Sequence, residues 1–416
     1  MSEERKEQSR SVAASNAPAK RSLLGRIVRA QEFGLVVVII ALMVGLTTYT
    51  HLRFGPVPRF DQIKLAEGSV LAPQAEQREG EFAIEAPDGK VTRYKEADGY
   101  ELRGSDEKPI VRYNYGVNKF LNSDNLISVL TSTSFIAVMA VGMTAIIALG
   151  GIDLSIGSIY ALAAVTGAMV LQVFAGSDGG GAGLMVALPV AVLACCGIGA
   201  ACGFVNGAAS VGLGVHPFII TLGGMAIYRG IAFVSTQGQT ISGAESLQGG
   251  MFKAELWGIT PVPSLIMLVI ALAGMFVFAN MVFGRRIFAI GGNEIAAKYA
   301  GIPVGRVKII CYTIMGALTG LSALMYLGYY GAASSDAGKG YELNVIAAAV
   351  VGGASLSGGR GSALGAVLGA ITIQLIDNSI LMTGIRQEYK DIVIGLAIIV
   401  AVVVDQAKHR LGSKKH

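Results

Sequence analysis

Residues 284–308 read GRRIFAIGGNEIAAKYAGIPVGRVK and form a polar, basic island between two long apolar runs. The island contains five Lys and Arg residues: Arg285, Arg286, Lys298, Arg306 and Lys308. Loops that join membrane-spanning helices carry this excess of Lys and Arg on the cytoplasmic side of the bilayer. The island therefore predicts a membrane protein and indicates that this loop faces the cytoplasm.

The composition of the whole chain supports that class. Of its 416 residues, 53% are hydrophobic and only 15% are charged, whereas about a quarter of the residues of a soluble domain are charged. Apolar runs of roughly 18 or more residues recur along the chain, which is the length of a membrane-spanning helix. The runs are continuous rather than alternating, which argues against a transmembrane β-barrel. The predicted fold is an all-α polytopic membrane protein.

Ten transmembrane helices are predicted. The chain also contains 56 glycines, nearly twice the ordinary glycine share of about 7% of residues. In a membrane protein this favours closely packed helices and broken or re-entrant segments. The predicted spans are about 34–50, 126–149, 155–176, 183–207, 214–235, 261–283, 309–330, 343–357, 362–384 and 388–405.

Charge placement predicts the orientation of these spans. Outside residues 51–119, Lys and Arg concentrate in the two chain ends and in the island. An even number of spans puts both ends on the side of the island, so 1–33 and 406–416 are predicted to be cytoplasmic tails that flank the first helix 34–50 and a membrane domain 120–405. This distribution indicates contact with a lipid bilayer and not with nucleic acid.

Residues 51–119 interrupt the apolar pattern with a charged segment. The runs 81–86 and 90–94 flank the turn sequence Pro87-Asp88-Gly89 and predict a β-hairpin, and Asp98-Gly99 predicts a second turn. We expect a small β-rich insert outside the membrane, on the side opposite the tails. It is either a spacer or a docking surface for a partner on that side.

The centre of the island predicts a short helix that lies along the membrane. The alanines of the segment from Glu294 to Ala297 permit close approach to a partner, and Gly301 permits a turn. The spacing alone is equally compatible with an ordinary basic cytoplasmic loop.

Polar residues at span ends are the other candidates. Asp153 lies among glycines where two apolar runs meet, in the sequence GGIDLSIG of residues 150–157. It either caps the next helix through that helix's free N–H groups or contacts a solute, because ionisable groups at membrane depth are commonly functional. The remaining polar candidates for a solute path or for helix–helix hydrogen bonds are Ser155, Asn206, Thr221, Gln374, Asp377 and Asn378.

The sequence contains no motif that indicates a catalysed reaction. The chain has no nucleophile–base set, no metal-type spacing, no cofactor motif and no Gly-x-x-x-x-Gly-Lys-Ser/Thr sequence that would bind ATP. The protein is therefore predicted not to be an enzyme and to use neither a cofactor nor a metal.

Two glycine faces, at 199/203/207 and 361/365/369, predict close helix packing within the subunit or across a dimer.

Four stretches resemble, in order, the permease subunits of ribose/xylose/galactose-type ABC importers. They are residues 150–157, the sequence HPFIITLGG at 216–224, FAIGGNE at 288–294, and residues 349–361. The resemblance runs from about 120 to 405. The insert 51–119 departs from the family, whose members join the first two spans by a shorter segment.

The resemblance implies a bacterial inner-membrane subunit that translocates a monosaccharide or related polyol. Its implied partners are a second permease copy, most simply an identical one, an ABC ATPase subunit and a periplasmic sugar-binding protein. Within the coupling loop 284–308, the residues implied to couple to the ATPase are Asn293, Glu294, Ala296, Ala297 and Gly301. The alternative reading is an ion-coupled secondary transporter that uses Asp153 and Asp377 as proton sites.

Overall fold

A computed structural model describes residues 31–73, 80–175, 184–242, 252 and 261–413. Residues 1–30 of the predicted N-terminal tail and 414–416 of the predicted C-terminal tail lie outside this part of the chain. Within it, the chain folds mainly into α-helices. These are α1 Gln31–Phe54, α2 Ser123–Ala148, α3 Ile156–Ala175, α4 Leu184–Leu213, α5 Pro217–Thr236, α6 Val262–Asn280, α7 Val282–Gly292, α8 Glu294–Tyr299, α9 Val304–Tyr330, α10 Tyr341–Val351, α11 Ala363–Thr383 and α12 Tyr389–Ser413.

Eight short strands accompany the helices in the described residues. They are β1 Pro56–Gln62, β2 Val70–Leu71, β3 Glu81–Glu85, β4 Val91–Lys95, β5 Tyr100–Ser105, β6 Lys108–Asn118, β7 Ile241–Ser242 and β8 Ala332–Ala333. The chain divides into two compact units. One contains 42–129 and 378–387, and the other contains the rest of the described chain.

The unit that contains 42–129 and 378–387 has two three-stranded antiparallel sheets, ordered β1-β6-β5 and β2-β3-β4. Strands β3 and β4 form a hairpin with Glu81 opposite Lys95, closed by a turn in which the Gly89 N–H donates to the Ala86 carbonyl at 2.9 Å. Phe82, Ile84 and Val111 are buried together. Alternating side chains thus give this unit a small apolar core of its own.

Helices occur at all ten predicted span positions, but the count of ten spans is not confirmed. In the described residues, eight helices are long and apolar enough to cross a membrane: α1 to α6, α9 and α11. The predicted span 343–357 corresponds to α10, which has only 11 residues and is therefore about 16 Å long, roughly half the hydrocarbon thickness. The predicted span 388–405 corresponds to α12, whose side chains are described for only part of its length.

Helix α10 ends early because Gly353, the second residue after it, leaves the helical conformation. Gly353, Gly358 and Gly359 have φ values of +98°, +83° and +76°, which side chains other than glycine rarely adopt. Helix α11 then packs back against α10. The two backbones lie so close together that a Cβ added at Gly365 would overlap the carbonyl of Gly352. The pair is a broken-helix hairpin, and glycine lets its two backbones approach closely.

The second glycine face packs α4 against α9. A Cβ added at Gly199 would overlap the carbonyl of Gly316, and one added at Gly203 would overlap the carbonyl of Tyr312. On the other side, a Cβ at Gly320 would overlap the carbonyl of Cys195. Both glycine faces therefore have packing partners within this chain.

Candidate functional site

The island is divided into three helices. Helix α7 ends at Gly292, α8 spans six residues, and α9 begins at Val304. Asn293 caps α8, since its Oδ1 accepts a hydrogen bond from the Ala296 N–H at 2.9 Å, as expected for an N-cap asparagine. Gly301 has a φ of +80° and allows the chain to turn towards α9. Asn293 and Gly301 thus bound a separate short helix.

Glu294 is held by an internal ion pair. Lys308 Nζ lies 2.9 Å from each carboxylate oxygen of Glu294. The pair connects the first residue of α8 to the first turns of α9. Glu294 was expected to face an ATPase, and this partner within its own chain gives it a second possible role, the positioning of α8.

The two faces of α8 differ in burial. Ala297 is buried against Ile287, Ile290 and Val307, whereas Ala296 is exposed. Ile295 is 70% exposed and Tyr299 is 89% exposed. Residues four apart lie on one face of a helix, so α8 presents an isoleucine and a tyrosine together. This pair was not predicted, although two large apolar residues four apart in a polar loop are visible in the sequence.

A groove of about 880 Å³ runs beside α8. One wall is formed by the end of α4, including Ser210, and its connection to α5, including His216. The other wall is formed by α8 and the start of α9. Lys298 and Arg306 lie on this second wall. The groove therefore brings the beginnings of α5 and α9 to the same region as the island.

Asp153 belongs to a buried hydrogen-bonded chain. Its side chain is 0% exposed, and its Oδ1 accepts hydrogen bonds from the Ser155 N–H at 2.8 Å and the Ser155 hydroxyl at 2.6 Å. Asn206 Nδ2 donates to Ser155 Oγ at 2.8 Å, and the Tyr228 hydroxyl donates to Asn206 Oδ1 at 2.9 Å. The chain links the segment before α3 to α4 and α5.

The backbone beside Asp153 is held in the same region. The hydroxyl groups of Thr221 and Tyr312 donate to the Ile152 carbonyl at 3.4 and 3.3 Å. Asp153, Ser155, Asn206 and Thr221 are thus brought together around the break between α2 and α3. Tyr312 was missed, because nothing in the sequence indicates that a tyrosine of α9 reaches residue 152. Asp153 Oδ2 is buried without a hydrogen-bond partner in the described residues.

Two of the three polar candidates on α11, Asp377 and Asn378, have partners of their own. Asp377 forms an ion pair with Lys390 of α12 at 2.8 Å. Asn378 and Asn125 exchange side-chain amide hydrogen bonds of 2.7 and 3.2 Å. Gln374 is buried one turn away on the same helix. Asp377 therefore has a cationic partner, which disfavours its use as a lone proton site.

In the part of the chain that the structure describes, no three His, Cys, Asp or Glu side chains come together as metal ligands. Cys195, Cys202 and Cys311 are buried thiols on the tightly packed helices α4 and α9. The polar groups of the site instead join helices to one another, and the exposed surface of α8 and its groove faces outward from the chain.

Comparison with known proteins identifies the family of this chain. The family model described as branched-chain amino acid transport system / permease component matches residues 125–402. The ribose import permease protein RbsC of Escherichia coli (strain K12) is 37% identical over 294 residues, which cover 70% of this chain and 88% of that protein. No solved structure matches the chain.

Two further relatives carry different names. The D-allose transport system permease protein AlsC of Escherichia coli (strain K12) is 35% identical over 287 residues, covering 69% of this chain and 85% of that protein. The galactose/methyl galactoside import permease protein MglC of Haemophilus influenzae is 33% identical over 304 residues, covering 70% and 88%. The chain therefore belongs to the family of permease components of membrane transport systems, and it is a transport subunit and not an enzyme.

Proposed function

We propose that this chain is the membrane-spanning permease of a binding-protein-dependent ABC importer for a monosaccharide or a related polyol. The names of its relatives, which import ribose, allose and galactose, support the class of solute. The chain has no ATP-binding loop, so a separate ATPase subunit supplies the energy. The solute crosses unchanged, by alternating exposure of a path to the two sides of the membrane.

The exposed pair on α8 is the observation that carries the proposal. Ile295 and Tyr299 project from a loop that the positive-inside rule assigns to the cytoplasm. Exposed aromatic and aliphatic side chains on a rigid element are typical anchors of a protein interface. We assign them the contact with the ATPase. Asn293, Ala297 and Gly301 shape α8, and Glu294 and Ala296 lie in the same coupling segment.

Contacts between helix ends support the proposed orientation, in which the bacterial inner membrane is crossed with both termini in the cytoplasm. The groove joins the beginnings of α5 and α9, and β7 pairs with β8 beyond their opposite ends. Both helices thus run from the island's side to the other side. With residues 1–33 in the cytoplasm, the one span 34–50 that follows them would place the insert 51–119 in the periplasm.

We assign different roles to the two groups of polar residues. Asp153, Ser155 and Asn206 are linked by hydrogen bonds, and we propose that with Thr221 they hold the break between α2 and α3 in place. We assign Gln374 and Asp377 of α11 to the solute path, and we propose the same role for Asn378. Discontinuous helices such as the α10–α11 hairpin commonly form membrane solute sites.

The partners follow from this role. A second copy of the chain completes the pore as a homodimer, an ATPase docks at α8, and a periplasmic sugar-binding protein delivers the solute on the opposite side. The insert lies where that delivery occurs and contributes to it. Discrimination between pentose, hexose and polyol rests mainly with the binding protein.

Crosslinking in the native host, followed by purification of the tagged chain in mild detergent, tests these assignments. We expect mass spectrometry to find an ABC ATPase and a binding protein, and the ligand carried by the binding protein identifies the solute. Purification of a chain that has neither partner, yet transports solute in vesicles with a proton gradient alone, would support the ion-coupled alternative.

A further inference from the structure

Three backbone segments meet without an intervening side chain at the end of α7. They are the last residue of α2, Ala148, the α7 residue Gly291, and the loop residues Gly358 and Gly359 between α10 and α11. We call these four residues the glycine junction. All four belong to the same compact unit.

Direct backbone contacts hold the junction together. The Gly359 N–H donates to the Ala148 carbonyl at 2.8 Å. That carbonyl is among the last four of α2, which have no partner within the helix. A Cβ added at Gly291 would overlap both the Ala148 carbonyl oxygen and the Gly359 amide nitrogen. Gly358 lies against the Gly291 carbonyl, so a Cβ there would overlap it as well.

The junction is joined to α8 by a very short stretch of chain. Gly291 lies two residues before Asn293, the cap of α8. The Asn293 N–H donates to the Ala289 carbonyl at 3.1 Å, which keeps this link in helical contact with α7. A displacement of α8 therefore reaches Gly291 through two residues.

On its other side the junction reaches the break between α2 and α3 and the hairpin whose helix α11 carries the proposed solute path. Ala148 ends α2 and begins the segment that carries Asp153, while Gly358 and Gly359 belong to the loop of the broken-helix hairpin. Packed backbones have no rotamers with which to absorb a shift, and close-packed interiors transmit strain. The contact between these backbones is therefore more rigid than a contact between side chains, which can change rotamer.

We propose that Gly291, through the glycine junction, passes the displacement of α8 to the end of α2 and to the α10–α11 loop, and so couples the ATPase to the opening of the solute path. This role rests on the proposed function. It makes Gly291 a positioning residue, since it touches neither ATPase nor solute. A demonstrated effect on coupling is the evidence that such a route requires.

The test compares Gly291→Ala with Gly292→Ala in vesicles that contain the complete importer: this chain, its ATPase and its binding protein. Gly292 is the matched control because a Cβ there meets nothing within 4 Å. The readout is solute transported per ATP hydrolysed, which a loss of folded protein alone does not change. We expect Gly291→Ala to lower this ratio roughly fivefold or more, the range of ordinary coupling effects, and Gly292→Ala to match the wild type.

A second variant covers the case in which Gly291→Ala does not accumulate in the membrane. Insertion of one glycine after Gly292 leaves the packing of the junction intact but loosens its link to α8. The same fall in transport per ATP is expected, with ATP hydrolysis retained.

A wild-type ratio in either folded variant overturns the inference and leaves the proposed function standing. Absence of ATP-driven uptake by the wild type overturns the proposed function, and the inference with it.

Discussion

Lys308 Nζ lies 2.9 Å from both carboxylate oxygens of Glu294 and so ties the first residue of α8 to α9, the helix that follows it. The side chains are 23% and 54% exposed, so the pair contributes little to overall stability. Its effect is geometric. It restrains the orientation of α8, from which Ile295 and Tyr299 project.

Charge exchange tests this restraint. We expect Glu294→Lys and Lys308→Glu each to lower solute uptake, because each places like charges opposite one another. The double variant Glu294→Lys/Lys308→Glu should recover most of the uptake, since it restores the pair in reverse. A double variant as defective as Glu294→Lys alone would instead assign Glu294 to direct contact with the ATPase.

The exposed pair on α8 predicts a loss of partner binding. Ile295→Ser and Tyr299→Ser should weaken binding of the ATPase by about 2 kcal/mol each, roughly 30-fold, the size expected for interface anchors. Binding of the purified ATPase to the permease in nanodiscs measures this change. Ile385→Ser is the matched control, because Ile385 is 50% exposed and lies in the connection between α11 and α12. Equal effects of Ile295→Ser and Ile385→Ser would contradict the assignment.

The buried chain at Asp153 predicts a stability effect. Asn206→Ala removes one hydrogen bond from the Ser155 hydroxyl and one from the Tyr228 hydroxyl. Each hydroxyl keeps another partner, so the expected loss is about 0.5–1.5 kcal/mol for each hydrogen bond removed. We expect a lower Tm in detergent and an unchanged solute preference. An unaltered Tm together with a changed preference among sugars would place Asn206 in the solute path.

The packing of α4 against α9 predicts a sharp difference between two glycines of one helix. Gly199→Val should prevent accumulation of folded protein, because its side chain meets the Gly316 backbone. Gly197→Val should be tolerated, since a Cβ at Gly197 meets nothing within 4 Å. Membrane levels and gel-filtration profiles of the two variants compare them directly. Loss of dimer but not of folded monomer in Gly199→Val would move this face to the interface between copies.

Much of the fold could be predicted because membrane helices are encoded locally. Long apolar runs indicated a helix at each of the ten positions, and the turn sequence at 87–89 indicated the hairpin between β3 and β4. The predicted span 343–357 was too long. An apolar run shows where a helix is soluble in lipid, but the length of α10 depends on glycine conformations after Val351.

The site was less predictable because its partners are distant in sequence. Asp153 and Ser155 are close together along the chain, but Asn206 and Tyr228 join them only once α4 and α5 have packed. Similarly, the sequence led to the prediction of a coupling loop at 284–308, but the pairing of Glu294 with Lys308 depends on the turn at Gly301. The packing of Gly291 against Ala148 and Gly359 had no sequence signal beyond the presence of glycine.

Uptake of labelled monosaccharide by vesicles that contain the chain, its ATPase and its binding protein tests whether the chain is an ATP-driven permease. We expect uptake that requires internal ATP and the binding protein, persists in the presence of a protonophore, and is lost when Ile295→Ser and Tyr299→Ser are combined. Uptake that continues without ATP and collapses with the protonophore would contradict this expectation.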